Sequence, residues 1–302
     1  MKRFSVIIPD TDSLRMGVIL EAFRKQTADL AQGEILVVGS DKPGLVPRDG
    51  FVHFIPTTQA YSCASDKRNI GMQAASGEIF LFLDDDCIPH PDWIERLLFR
   101  HAQGEKVVGG AVELGQRNYL QTADNLSAFH YFLPYLPEGK HEYLTTSNLS
   151  MHRSVVDRAG MMEAHQNRAD DLEWTLRFRR YGYELYYEPG AIVLHDPNRC
   201  SFSNVVRHWL VDAPGTLRIR KMYADLLATP RLAQYRPMYL WGAVFVAAWA
   251  TSKTFSHPKT RQSYWHTLPL VYLTKLLWCW SAYRNFPHEI EPLRPPDLPA
   301  TA

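Results

Sequence analysis

Three adjacent carboxylates, Asp84, Asp85 and Asp86, directly follow a short apolar run at residues 79–83. Such a run is typical of a buried strand. Acids grouped at the end of a buried strand are costly to keep ionised unless a cation neutralises them. Mg²⁺ or Mn²⁺ does so with one or two carboxylates and leaves positions open for phosphate oxygens. The residues therefore favour a metal site at a sheet edge over the alternative, a solvated turn, provided that the chain supplies a substrate site.

A second acidic pair, Asp170 and Asp171, opens a segment that ends in basic residues and Gly182. Acids in the first turn, bases in the last turn and glycine at the stop favour a helix. The two acids can therefore be capping residues or a general base. Glycoside hydrolases also use paired carboxylates, but they have no use for the metal site predicted at residues 84–86.

Short apolar strands alternate with helices over the first 200 residues. Strands are predicted at residues 4–8, 34–38, 51–55, 79–83, 107–114, 184–187 and 191–194, and helices at 13–27, 65–75, 92–101, near 155 and from 170 to about 181. This alternation predicts a parallel sheet with crossover helices. Neither GxGxxG nor a P-loop lysine motif is present, which argues against the dinucleotide-binding and P-loop classes.

Length and cysteine usage set the broad class. A chain of 302 residues can hold one large or two modest domains. Its four cysteines show neither metal nor disulfide spacing, and the first residues lack the apolar stretch of a signal peptide. These features predict a protein of the reducing cytoplasm.

The order of the motifs resembles the family-2 inverting glycosyltransferases with the GT-A fold. The matching pieces are, in order, 5–9 (SVIIP), 68–71 (RNIG), 82–86 (FLDDD), 146–149 (TSNL), the acidic pair 170–171 with Gly182 and Tyr183, and 193–195 (VLH). The resemblance covers roughly residues 3–200. It implies a catalytic domain at residues 1–204, an α/β fold with a mixed, mostly parallel sheet flanked by helices, followed by a C-terminal helical appendix.

The resemblance also implies a role for each matching residue. Asp84 and Asp86 would serve the metal, with His195 completing the metal or diphosphate contacts, and Asp171 would be the catalytic base. The other implied positions are Pro9, Asp41, Lys67, Arg68, Asp84 and Asp85 at the nucleotide sugar, and Ser147, Asn148, Asp170 and Trp174 at the donor or acceptor sugar. From the residues alone, Lys67 and Arg68 could equally form a solvated helix face, and His195 could be structural.

One segment departs from the family pattern. Gly39 and Ser40 stand where an acidic pair commonly holds the nucleotide base, and Asp41 is the one acid nearby. The donor implied by the resemblance is a nucleoside-diphosphate sugar, with UDP favoured and GDP or dTDP open. The acceptor would be a saccharide or a lipid-linked saccharide, as in cell-envelope or extracellular polysaccharide synthesis.

The C-terminal third is basic and rich in tryptophan. Residues 205–284 contain eleven Lys and Arg residues and two acids, which gives a net charge of +9. Six of the eight tryptophans lie in the same segment. Basic helices with Trp and Tyr suit an anionic membrane surface. A packed helical subdomain and an oligomer contact remain alternatives, whereas a nucleic-acid motif is absent. We therefore predict a helical region at 205–290, peripheral on the inner face of the membrane, and a Pro-rich tail at 291–302.

Two other functional classes stay open. A sugar nucleotidyltransferase also combines an α/β sheet with acidic metal sites, but it usually carries a glycine-rich N-terminal loop, which residues 6–11 do not offer. A non-catalytic glycan- or nucleotide-binding module would bind the donor and be indifferent to loss of the Asp171 carboxylate.

Overall fold

A computed structural model describes residues 2–48, 50–57, 63–166 and 168–287. The strands in these ranges are β1 Lys2–Thr11, β2 Gly33–Ser40, β3 His53–Pro56, β4 Gly77–Leu83, β5 Cys87–Pro89, β6 Val107–Leu114, β7 Gly139–Lys140, β8 Asn148–His152 and β9 Tyr186–His195. The α-helices are α1 Met16–Arg24, α2 Ala64–Ala74, α3 Trp93–Ala102, α4 Tyr119–Phe129, α5 Arg153–Ala159, α6 Asp170–Arg180, α7 Phe202–Met222, α8 Met238–Trp241, α9 Ala243–Thr254, α10 Pro258–Tyr264 and α11 Leu268–Arg284. Short 3₁₀ turns lie at Leu30–Gln32, Arg231–Gln234 and Trp265–Thr267.

All nine strands join one mixed sheet in the order β3-β2-β1-β4-β8-β6-β9-β5, with β7 paired to β9. One half is parallel, because β1 pairs in parallel with both β2 and β4, and β2 with β3. In the other half β8 runs antiparallel to β4 and β6. The predicted α/β fold with a mixed sheet and flanking helices is confirmed.

β1 lies at the point where the strand order reverses, between β2 and β4. Ligands of open α/β sheets bind outside the carboxyl ends of strands at such a point. Gly71 of α2 packs closely on this strand, since a Cβ there would lie 2.5 Å from a methyl group of Ile7. The close approach places the residues of α2 directly over the end of β1.

The strands predicted at 184–187 and 191–194 are in fact one strand, β9. The expected break at Pro189 and Gly190 does not occur. Two partners hold the ends of β9, since Tyr186 and Tyr187 pair with β7 while residues 193–195 pair with β5. Strand pairing therefore carries the chain through residues that locally disfavour a strand.

The chain divides into two compact units. Among the described residues, the first comprises 2–113 and 136–195, and the second comprises 114–135 and 196–287. This division differs from the predicted boundary at residue 204, because the segment containing α4 groups with the C-terminal helices. The predicted Pro-rich tail at 291–302 lies outside the described residues.

The second unit is helical and has its own core. Six buried residues form its centre: Ala213, Leu217, Tyr239, Cys279, Ala282 and Phe286. The predicted C-terminal helices are thus present. Among the described residues, no helix is both long enough and apolar enough to cross a membrane.

Candidate functional site

The carboxylates predicted to bind metal lie where β4 leaves the sheet. β4 is buried along residues 79–83, and the chain turns through Asp84 to Asp86 before β5 begins at Cys87. Asp84 is held on both sides: its Oδ1 accepts a 2.5 Å hydrogen bond from Arg68, and its Oδ2 accepts a 2.7 Å bond from the Ser147 hydroxyl. The first acid of the motif is therefore fixed by α2 and by the loop before β8.

Arg68 joins the two acidic clusters. Its guanidinium donates to Asp84 and also, at 2.7 Å, to Oδ2 of Asp170. The Arg68 side chain is 4% exposed, so the interpretation of this position as a solvated helix face is wrong. A planar guanidinium can hold two carboxylates in a defined geometry, which an ammonium group cannot do. Arg68 thus fixes α6 relative to the end of β4.

Lys67, the preceding residue, is buried as well. Its Nζ donates to the Asp10 carbonyl oxygen at 2.7 Å and to the Thr11 hydroxyl at 2.8 Å. Burial lowers the pKa of Lys67. Through its two hydrogen bonds the ammonium group stabilises the end of β1, and it supplies positive charge there.

Asp85 ties the loop after β1 to the acidic turn. Its Oδ2 accepts the Thr11 backbone N–H at 2.8 Å, and its carbonyl oxygen accepts the Ser13 hydroxyl at 2.5 Å. Burial, followed by the neighbouring Asp86 carboxylate, raises the pKa of Asp85 to about 7. The described side chains thus leave this turn short of positive charge, which a bound cation would supply.

Asp86 and His195 fit a hard divalent cation. The β5–β9 register sets Cys87 opposite His195, and His195 Nε2 lies 3.5 Å from Asp86 Oδ2. The potential ligand atoms of Asp86, Cys87 and His195 all lie within 4.8 Å of one another. Burial raises the pKa of the Cys87 thiol well above its ordinary value, and sulfur is a soft ligand that does not suit Mg²⁺ or Mn²⁺. Carboxylate and imidazole remain as donors, and carboxylates suit Mg²⁺ and Mn²⁺.

The second acidic pair begins α6. Asp170 is engaged by Arg68, while Asp171 Oδ1 accepts the backbone N–H of Leu172 at 2.8 Å. Asp170 is not the residue before the helix, which is Ala169, but it also accepts backbone N–H groups of the first turn, so it caps α6 as well as binding Arg68. Burial, followed by the Asp170 charge, raises the pKa of Asp171 to about 7. Two adjacent acids in different environments are the arrangement expected of a general base and its support.

Asn148 and Trp174, predicted in the sugar pocket, are instead fully buried in the core. The Asn148 amide donates to the carbonyl oxygens of Ala111 and Ala191 and accepts from the Trp93 indole. Trp174 packs edge-on against Phe82, with ring centroids 5.4 Å apart. Both side chains are satisfied inside the protein, so they position β8 and α6 rather than face a ligand.

The segment that departs from the family pattern has a structural reason for its glycine. Gly39 has φ +148°, and a Cβ there would lie 1.9 Å from the Asp10 carbonyl oxygen. An acidic side chain cannot replace Gly39 without moving β1. The Asp41 carboxylate accepts the backbone N–H groups of Leu45 and Val46 at 2.8 and 3.1 Å, so it also shapes the loop in which it lies.

Sequence reasoning missed three polar residues that directly follow Pro9 at the end of β1. Asp12 accepts from the Ser40 hydroxyl at 2.7 Å and from the Lys42 backbone N–H at 2.8 Å. Asp10 is fully buried, its Oδ2 has no hydrogen-bond partner among the described residues, and burial raises its pKa to about 6. The rule that ligands gather at strand carboxyl ends was the available signal for Asp10, Thr11 and Asp12.

Sequence comparisons place this chain among glycosyltransferases. Residues 44–161 match the model of glycosyl transferase family 2. The chain is 31% identical over 202 residues to glycosyltransferase AglE of Haloferax volcanii, covering 63% of this chain and 66% of AglE. It is 25% identical over 150 residues to the pre-mycofactocin glycosyltransferase of Mycobacterium tuberculosis, covering 43% and 29% of the two chains. The chain thus spans just under two thirds of AglE and less than a third of the mycobacterial protein.

Solved structures share the fold. The mannosyltransferase PcManGT from Pyrobaculum calidifontis, solved with GDP-Man and Mn²⁺, superposes with a TM-score of 0.62 at 15% identity, covering 94% of this chain and 86% of PcManGT. Residues 1–349 of TarS from S. aureus give a TM-score of 0.55 at 12% identity, covering 93% and 91%. At these identities the likeness concerns the fold alone.

Proposed function

The chain belongs to glycosyl transferase family 2 and has the GT-A fold, and on that premise we propose that it transfers a sugar from a nucleoside-diphosphate sugar to an acceptor hydroxyl. The reaction is a single displacement that inverts the anomeric carbon. The observation that carries this proposal is the double hydrogen bond of Arg68, which links Asp84 of the diphosphate and metal region to Asp170 beside the base. A donor site and a base held together in this way suit direct transfer.

Asp171 is the proposed base. The acceptor oxygen attacks the anomeric carbon, the bond from that carbon to the diphosphate oxygen breaks, and the acceptor proton passes to the Asp171 carboxylate. General-base assistance of this kind contributes about 10²–10⁴-fold to the rate. Burial raises the pKa of Asp171 to about 7, which makes its carboxylate a stronger base than an ordinary aspartate. No covalent intermediate is needed.

Asp86 and His195 are the proposed ligands of Mg²⁺ or Mn²⁺, with Asp84 beside them. The cation would offset the negative charge that builds up on the departing nucleoside diphosphate. Lys67 holds the loop after Pro9, and Arg68 orders the two acidic clusters, so both act by positioning. Ser147 keeps Asp84 in place through its 2.7 Å hydrogen bond.

The nucleotide base would lie near the ends of β1 and β2, beside Asp41 and Asp85. The family resemblance favours a UDP sugar as the donor. PcManGT, which shares the fold, binds GDP-Man with Mn²⁺, and this supports testing GDP sugars on equal terms.

We propose a saccharide or lipid-linked acceptor used in cell-envelope synthesis, with the chain cytoplasmic and peripheral on the inner membrane face. The basic, tryptophan-rich composition of residues 205–284 supports this location.

The test is calorimetric titration of UDP-, GDP- and dTDP-sugars with Mn²⁺ into wild type, Asp86→Ala, Asp171→Asn and the exposed control Asp157→Asn. We expect one nucleotide to bind wild type, Asp171→Asn and Asp157→Asn alike, and to be lost in Asp86→Ala. Product analysis should then show transfer with inversion by wild type and Asp157→Asn, and at least about 100-fold slower transfer by Asp171→Asn.

Three outcomes would contradict the proposal. Pyrophosphate release from a nucleoside triphosphate would identify a sugar nucleotidyltransferase. Donor binding without transfer to any acceptor, unchanged in Asp171→Asn, would identify a binding module. Metal-independent binding that survives Asp86→Ala would remove the metal role.

A further inference from the structure

Helix α9 has two distinct faces. Its buried positions, Ala247, Thr251 and Thr254, are spaced by four and three residues and so lie on one side of the helix. α9 packs against α11, and the Tyr272 hydroxyl of α11 donates to the Val244 carbonyl oxygen at 3.5 Å. These inner positions account for the packing of α9 within the second unit.

The opposite face is aromatic and exposed. Trp241, Phe245 and Trp249 recur at every fourth residue and are 81%, 77% and 60% exposed. Gly242 joins α8 to α9 with helical backbone angles, φ −91° and ψ −1°, so the four-residue spacing keeps the three rings on one side. Here they are called the aromatic face. Core packing explains Trp209, which is buried, but it does not explain three large rings turned outward.

The segment of the chain that contains the aromatic face carries charge of a single sign. Residues 226–287 contain seven Lys and Arg residues and no Asp or Glu. Lys253, one turn beyond the aromatic face, places its Nζ 5.8 Å from the centre of the Trp249 ring. Exposed apolar rings beside a cationic side chain complement a surface that has an apolar interior and an anionic outer layer.

We propose that the aromatic face is the docking surface through which this protein binds an anionic lipid bilayer. The three rings enter the boundary between headgroups and acyl chains, and Lys253 with the neighbouring basic residues contacts lipid phosphates. Trp rings favour that boundary because they join a large apolar body to a polar N–H group. α9 has 12 residues, too few for the about 20 needed to span the hydrocarbon, so it lies along the surface.

This inference deepens the proposed membrane location and does not depend on the transferase chemistry. Its test is co-sedimentation of the full chain with vesicles of phosphatidylcholine alone or with about 30% phosphatidylglycerol, at low salt. The variants are Phe245→Ala/Trp249→Ala, Lys253→Glu and the control Phe99→Ala. Phe99 is also exposed, at 56%, but it belongs to α3 of the first unit.

We expect wild type and Phe99→Ala to bind the anionic vesicles equally. The double variant should bind them about tenfold or more weakly, since each ring loses its apolar contact with lipid. Lys253→Glu should weaken binding to anionic vesicles only. Circular dichroism should be unchanged, because the substituted side chains face outward and alanine favours helix.

The inference is overturned if wild type ignores anionic vesicles, or if the double variant binds them as wild type does. It is also overturned if light scattering shows a dimer that the double substitution dissociates while vesicles remain unbound, since the aromatic face would then be a protomer contact. Nucleotide-sugar binding measured on the same variants separates the two proposals: intact donor binding with failed docking refutes only this inference.

Discussion

Adjacent acids of one type have different environments in this protein, and their surroundings assign different tasks to them. Asp84 and Asp170 are each held by Arg68, whereas Asp171 accepts from the Leu172 backbone N–H and from the Thr145 side chain and has a pKa raised to about 7, chiefly by burial. A carboxyl with that pKa is a stronger base than an ordinary aspartate, and at neutral pH about half of it is ionised and able to accept a proton. The residue thus has the properties that the proposed displacement requires.

The pKa of Asp171 predicts the pH dependence of transfer. With donor, acceptor and Mn²⁺ saturating, kcat should rise with pH and level off above about 8, because only the ionised carboxylate accepts the proton. At pH 6 it should be about tenfold below the plateau. Stability should run the other way: a raised carboxyl pKa stabilises the fold at low pH, and this contribution is lost as pH rises through 7. A kcat that is flat from pH 5.5 to 8.5 would contradict this role.

At the scale of elements, α2 matters because it contacts the ends of two strands. Lys67 stabilises the end of β1, and Arg68 joins the turn after β4 to the start of α6. Gly71 allows this close approach through its contact with Ile7. One turn of helix therefore determines the distance between the donor region and the base.

The effect of removing Arg68 follows from its two partners. Arg68→Gln leaves Asp84 and Asp170 without their shared cation, so the free energy of unfolding should fall by roughly 3 kcal/mol, the lower end for a broken buried pair because both acids keep some exposure. Transfer should fall more than donor affinity, since α6 loses its link to β4. Urea unfolding and the comparison of kcat with KM measure these effects, with exposed Arg96→Gln as the matched control. Equal stability of Arg68→Gln and wild type would refute the bridging role.

Local sequence predicted the elements better than their pairing. The apolar run of β4, the acids after it and the start of α6 were all visible, because each depends on neighbours in the chain. The continuity of β9 through Pro189 and the need for glycine at position 39 depend on distant strands. Asn148 showed the same limit: the family resemblance implied a contact with the sugar, yet its partners are backbone carbonyls far along the chain.

For the whole molecule, the net charge of +1 conceals two opposite regions. Residues 1–204 carry 21 basic and 27 acidic residues, a net charge of −6, whereas residues 205–284 carry +9. The acidic excess includes the carboxylates proposed to hold a cation, and the basic excess belongs to the segment that contains the aromatic face. Each region thus has the sign that its proposed partner requires, a cation for the first and anionic lipid for the second.

Salt should therefore weaken vesicle binding steeply, although the chain as a whole is nearly neutral. Raising NaCl from 50 to 500 mM shortens the Debye length from roughly 14 to 4 Å, which screens exposed lysines and arginines from lipid phosphates. Apolar insertion of the aromatic face is not weakened by salt. We expect binding to anionic vesicles to fall at least about tenfold across this range, with the residual binding equal to that on phosphatidylcholine. Flotation assays measure binding to both kinds of vesicle. If binding to anionic vesicles hardly changes with salt, as expected for a chain that acts only through its net charge of +1, the separation of charge between the two regions is contradicted.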